Sequence, residues 1–149
     1  MEIRAATARD LADLMRLQSH LVHFERPFDP TIRKGKVQYY DIKKLLRSNR
    51  AKVVVAVYKK IVGCGFGEIQ KDVNWSVNKR KGYIGLMYVE PAFRGQRIGR
   101  RIITELSRWL KSYGINDIRL RLYTDNVAAL HAYRAYGFKD FILEMRKTL

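Results

Sequence analysis

The stretch Tyr88-Val89-Glu90-Pro91-Ala92-Phe93-Arg94-Gly95-Gln96-Arg97-Ile98-Gly99-Arg100 combines the residue types of an anion site. An apolar run ends at a proline, and a short loop opens directly into a long helical pattern. The first turn of a helix carries unpaired N–H groups and the positive end of the helix dipole, so a phosphate is a natural ligand there. Gly95 and Gly99 withhold side chains where a diphosphate has to approach the backbone, and Arg94, Arg97, Arg100 and Arg101 add counter-charge. The chemistry indicated is the holding of a pyrophosphate. The loop of nucleoside-triphosphate-binding proteins is excluded, because it needs Gly-Lys followed by Ser or Thr where this chain has Gly99-Arg100-Arg101. The glycine spacing also departs from the dinucleotide fingerprint. Gly63, Gly65 and Gly67 lie inside a strand pattern with no helix start behind them, and read as close packing or a bulge.

Other reactive side chains are sparse. Cys64 is the one cysteine, so no internal disulfide forms, and without a paired His or Asn signature it reads as a small buried hydrophobe. His20 and His23 share a helix face at i and i+3, but no third ligand stands at metal-site spacing and no metal is expected.

The elements that must position these residues follow from pattern. Glu2–Ala5 reads as a strand, and Thr7 with Asp10 three residues on reads as a helix start. Leu11, Leu14, Met15, Leu21 and Val22 then recur at helical spacing. Pro27 and Pro30 make 24–36 a loop, and 37–48 predicts a second helix. Residues 52–58 and 61–71 form a hairpin across Lys59-Lys60, and 82–89 is a further strand. A helix is predicted over 95–113 and ends at Gly114. Ile118, Leu120 and Leu122 alternate with polar residues as in a strand, 126–136 is a helix ended by Gly137, and 138–147 is strand-like. The order β-α-α-β-β-β-α-β-α-β predicts a single α/β (α+β) domain over 1–149, with helices on both faces of a mixed sheet.

The net charge of +16, from 30 Lys and Arg against 14 Asp and Glu, fits an anionic ligand. The basic residues are spread along the chain with no long run and no interleaved aromatic stripe, so nucleic acid is not expected as the partner. No stretch approaches the roughly 20 apolar residues that cross a bilayer, and no apolar signal core follows the first charges. With its single cysteine, the chain is expected in the cytoplasm, away from membranes.

The 88–100 stretch resembles the acyl-CoA signature of the GNAT superfamily of N-acetyltransferases, Arg/Gln-x-x-Gly-x-Gly/Ala after a Val-x-Pro strand end. The match runs through Val89-Glu90-Pro91 and Arg94-Gly95-Gln96-Arg97-Ile98-Gly99, with Arg97 in place of the usual middle glycine. A second stretch, from Asn126 through Ala129 and Tyr133 to Gly137-Phe138, is similar to the superfamily's Asn-x-x-Ala-x-x-x-Tyr-x-x-x-Gly-Phe helix. The resemblance implies a mostly antiparallel central sheet of six to seven strands flanked by about four helices. It implies acetyl-CoA as co-substrate and transfer of the acetyl group to an amine by direct attack in a ternary complex. Met87, Tyr88 and Val89 then face the pantetheine arm. The backbone of Gln96, Arg97, Ile98, Gly99 and Arg100 forms the pyrophosphate cradle with Gly95, and Arg94 and Arg97 stand near the phosphates. Tyr133 matches the tyrosine that protonates the departing sulfur. Asn126 matches an asparagine that contacts the arm or positions its helix. Glu68 and Glu90 are the candidate bases, acting directly, through water, or by holding a cationic acceptor. His20, His23, Glu25, Asp29, Tyr39 and Tyr40 fall in the segment that covers the acceptor side. The acceptor, a small amine or a protein amine, stays open, as does the choice between monomer and homodimer. The alternative is a basic nucleic-acid-binding or acyl-CoA-sensing module on the same fold without catalysis.

Overall fold

The computed structural model describes residues 1–149. Five strands form one sheet in chain order: β1 (Glu2–Ala5), β2 (Ala51–Tyr58), β3 (Lys60–Lys71), β4 (Arg80–Val89) and β5 (Ile118–Arg119). The first four are antiparallel neighbours. β5 lies parallel to β4 and pairs with it only at Gly82↔Ile118 and Tyr83↔Arg119. Four helices complete the domain: α1 (Leu11–Glu25), α2 (Ile42–Arg47), α3 (Ile98–Ser112) and α4 (Val127–Ala135).

β2 is a continuous apolar run because both faces of the sheet are covered. Val53 and Val55 meet Leu14, Leu17 and Leu21 of α1 and Ile42 and Leu45 of α2. Val54 and Ala56 meet Ile98, Ile102, Ile103, Leu106 and Leu110, the apolar stripe of α3. Three short polar side chains fix the chain on entering helices. Asp10 accepts the Thr7 N–H at 2.7 Å, Asp41 accepts the Lys44 N–H at 3.0 Å, and Asn126 accepts the Ala129 N–H at 3.3 Å. Gly114 and Gly137, both at positive φ, end α3 and α4.

A bulge shapes the middle of the sheet. Cys64 pairs with Tyr88 and Phe66 with Gly85, so Leu86 and Met87 together oppose Gly65. Leu86 takes φ +53°, a left-handed conformation that a γ-branched residue adopts only when its surroundings enforce it. Two glycines allow the close packing here. A β-carbon at Gly65 would run into the Met87 sulfur, and one at Gly85 would stand 2.7 Å from the Phe66 ring.

The structure departs from the sequence reading at four places. The second helix is the six residues of α2, because 37–41 is held as loop by the buried Gln18 side chain. That amide accepts the Tyr40 N–H at 2.9 Å and donates to the Tyr40 carbonyl at 3.4 Å. The third helix begins at Ile98 rather than at 95, because Gly95 (φ +77°) and Arg97 (φ +60°) both turn left-handed ahead of it. β5 is two residues long, and 138–147 joins no strand. The sheet therefore has five strands, where six to seven were expected. Both stretches keep a strand's composition, but a strand exists only where a neighbour supplies a ladder.

Candidate active site

β4 and β5 diverge after Tyr83 and Arg119, so the β5-facing edge of residues 84–89 has no strand beside it. The Glu90 N–H donates to the Val62 carbonyl at 2.8 Å, so strand alternation turns the Val89 N–H toward the open edge. The Met87 and Val89 side chains pack against the α3 layer. Tyr88 points the other way, edge-on to His20 with ring centroids 6.1 Å apart. This segment thus offers its main chain, rather than its side chains, to the opening.

The anion turn lies at the end of the same strand. A 3-10 turn, Pro91–Phe93, leads through Arg94 and Gly95 to Arg97 at the N-terminus of α3. The helix ladder begins with the Arg101 N–H, which donates to the Arg97 carbonyl at 3.0 Å. From Gly95 through Arg100, no backbone N–H has a partner in the protein. Six consecutive donors at a helix start are a concentrated positive field for an anion. Gly95 has nothing within 4 Å of where a β-carbon would stand, and Gly99 has only the Tyr136 hydroxyl at 4.0 Å. These glycines leave space over the turn that no packing uses.

The arginines divide. Arg94 folds back toward α1: its Nε donates to the Val89 carbonyl at 3.0 Å, and its guanidinium lies over the rings of Phe24 and Tyr88. Arg100 lies over the Tyr136 ring, 5.9 Å from its centroid. The Arg97 side chain makes no hydrogen bond or ion pair and stands directly at the turn.

Tyr133, on the inner side of α4, packs edge-on to Tyr136 and Phe138. Its hydroxyl has no protein partner. Burial first, and the Glu25 carboxylate second, push its pKa up to about 12, so it is a fully protonated donor at neutral pH. Asn126 caps α4 and so positions the helix that carries Tyr133.

Three carboxylates require separate accounts. Glu90 accepts from Arg16 at 2.5 Å and from Lys60 at 3.1 Å. Burial alone would raise its pKa, but these two cations hold it below the usual carboxylate range. Glu68 is half-buried on the α1/α2 side of β3 and accepts from the Gln70 amide at 2.9 Å. Glu25, at the C-terminal end of α1, has no cation beside it. Burial raises its pKa above the ordinary range, and only the Tyr39 hydroxyl opposes the shift. That hydroxyl is itself buried without a hydrogen bond of ordinary geometry. The structure therefore gathers Glu25, Tyr39 and Tyr133 at one end of α1. Glu90 sits with Arg16, nine residues back, which is about 13 Å along the helix axis. The signal for Glu25 was in the sequence: it continues the buried stripe Leu14, Gln18, Leu21 by one more helical step. No group of three or more His, Cys, Asp or Glu side chains converges as a metal site would require, and His20 packs on Tyr88 instead.

Fold and site define a mixed α/β domain whose sheet splits beside an anion-binding turn. The profile of the Acetyltransferase (GNAT) family matches residues 14–138, and the chain belongs to that family. Among curated relatives, N-alpha-acetyltransferase RimI of Mycobacterium tuberculosis is 41% identical over 58 residues, which are 39% of this chain and 35% of that protein. The chain spans only 15–52% of the length of the first curated relatives it matches. A solved variant of the BH1408 protein of Bacillus halodurans shares the fold with TM-score 0.87 at 21% identity, over 100% of both chains. The structure of a predicted acetyltransferase with acetyl-CoA, from Clostridium acetobutylicum, has TM-score 0.75 at 23% identity, over 97% of this chain and 95% of that one.

Proposed function

We propose that this chain is an acetyl-CoA-dependent N-acetyltransferase that moves an acetyl group to a primary amine by direct attack in a ternary complex. The observation that carries this reading is the run of six free N–H groups, Gly95 to Arg100, beside the unpaired edge of β4. The residues present fit the co-substrate. The turn takes its pyrophosphate, the main chain of Met87 and Val89 takes the pantetheine arm as a strand would, and the bare glycines leave room for both.

Acetyl-CoA supplies a thioester. The acceptor nitrogen bonds to its acyl carbon, the carbon–sulfur bond breaks, and the sulfur takes the proton of the Tyr133 hydroxyl. We assign the surplus proton of the amine to the Glu25 carboxylate, directly or through one water. Its raised pKa makes Glu25 a stronger base than Glu90, which two cations already neutralise. Glu68 remains the second carboxylate on the acceptor side of the sheet.

Calorimetry with acetyl-CoA on the wild type and Gly99→Glu tests the cradle: micromolar binding is expected, lost in the variant. Thiol release with a panel of primary amines then tests turnover. Tyr133→Phe is expected to lower kcat about 100-fold with acetyl-CoA affinity unchanged. No binding at millimolar acetyl-CoA would overturn the proposal. Binding without turnover of any amine would leave an acyl-CoA sensor in its place.

A further inference from the structure

Arg121 lies two residues beyond the end of β5, where the chain has left β4. Its neighbour Leu120 packs with Ile118 into the α3 layer. Tyr123 turns to the opposite face, where its hydroxyl donates to Asp29 at 3.1 Å and its ring lies against Phe28. Arg121 serves that second face, as the Tyr40 hydroxyl shows. Burial raises the pKa of that hydroxyl most, the Tyr83 hydroxyl 3.2 Å away and the Glu25 carboxylate raise it further, and the Arg121 guanidinium lowers it. One phenol thus feels Glu25 and Arg121 together. The guanidinium is otherwise unengaged. Arg119 is held by Asp117 at 2.8 Å and by Asp72 at 3.2 Å, and Arg146 by Asp29 at 3.2 Å. Arg121 is exposed and makes no hydrogen bond or ion pair. The carboxylates divide in the same way. Asp29 is occupied by Thr31, Tyr123 and Arg146, and Glu90 by Arg16 and Lys60. Glu25 and Glu68 are left without a cation.

We propose, on the reading that an acetyl group is transferred here, that the acceptor is a small primary amine that also carries an anionic oxygen group, and that Arg121 receives that group. The free carboxylate of Glu25 and the free guanidinium of Arg121 are one charge of each sign. An acceptor of this class offers the complement of both, an amine toward Glu25 and an anion toward Arg121. An acceptor with several positive charges fits poorly. With Glu25 taking the proton of the reaction, only Glu68 is left to hold further cations, and a chain of net charge +16 repels a polycation before it arrives. The planar guanidinium also suits the task better than an ammonium would. Its forked N–H groups match two oxygens of a carboxylate or a phosphate at once, and so fix the direction of the acceptor as well as its charge.

Thiol release with matched amines tests this: β-alanine against β-alaninamide, phosphoethanolamine against ethanolamine, and spermidine as a polycation. The anionic member of at least one pair is expected to have the lower KM, and the two pairs separate a carboxylate from a phosphate. Arg121→Gln is expected to raise that KM roughly 10- to 100-fold, with kcat, acetyl-CoA affinity and the KM of the uncharged-tail member unchanged. Arg121→Lys is expected to recover part of the loss. Lys111→Gln removes the same charge from an exposed position on α3, across the sheet, and is expected to change neither KM. Calorimetry of the same pairs with CoA present reads the preference in binding alone. Binding of the anionic amine that depends on Arg121, without turnover, would overturn the acetyl-transfer reading and keep the anion subsite. No preference for the anionic member in either measurement, or an equal effect of Lys111→Gln and Arg121→Gln, would overturn the proposal.

Discussion

Glu25 and Tyr133 present opposite proton affinities at one place. The tyrosine is held as a proton donor near 12, while the carboxyl is raised toward the range where a base takes a proton at working pH. The rate is therefore expected to climb with pH along a limb above the ordinary carboxylate value, and Glu25→Gln should remove that limb with most of the activity. Stability runs the other way. A carboxyl raised in the folded state binds its proton more tightly there than in the unfolded chain. Stability therefore falls as pH rises past the unfolded value, and levels off once Glu25 has ionised. Glu25→Gln is expected to melt above the wild type at pH 7 and with it at pH 4, as thermal melts at the two pH values would show. Arg97 gives a second test at this scale. It holds φ +60° with a side chain, which costs about 1 kcal/mol relative to glycine, so Arg97→Gly should raise Tm by roughly 3 °C. The turn at the start of α3 and the place of Tyr133 within α4 were legible in the sequence, because both follow from local residue types and spacing. Glu25 and Tyr39 were legible only as a segment, because their roles depend on which face of α1 is buried and on where Gln18 pins residue 40.

At the scale of elements, the bulge at Leu86 and Met87 lies within the open stretch of β4, past its last residues paired with β5, Gly82 and Tyr83. Gly85→Ala would press a β-carbon onto the Phe66 ring and the Tyr40 hydroxyl, at 2.7 and 2.9 Å. The expected loss is about 1–3 kcal/mol in denaturant melts, with acetyl-CoA affinity falling further than stability alone explains. The hairpin β2–β3, strand β4, and helices α1, α3 and α4 were readable within a few residues, because each buries a periodic face against its own chain. The bulge was not, since nothing in Gly85-Leu86-Met87 marks a left-handed leucine. The missing sixth strand was overread for a related reason: the composition of 138–147 suits a strand without saying whether a neighbour supplies the ladder.

For the whole molecule, charge sets the salt response of binding. Acetyl-CoA is an anion meeting a chain of net charge +16, so its affinity is expected to weaken as salt rises. Calorimetry at 50 and 300 mM salt would read the trend. The sign of the charge was plain in the sequence. Its spread along the chain, with no long basic run, is why it was read toward a small anionic ligand rather than nucleic acid.

The open edge of β4 has a consequence for how long the protein survives. On the proposed function, a co-substrate lying where a strand is missing would complete the fold as well as the site, and it would not bind the unfolded chain. At 100 times its dissociation constant it would add about 2.7 kcal/mol to stability. A difference of that size changes how often a chain opens to a protease, and so how much of it a cell retains. On the proposed function, a cell starved of acetyl-CoA would lose the catalyst along with the reaction, and the steady amount of this protein would record the supply of its co-substrate.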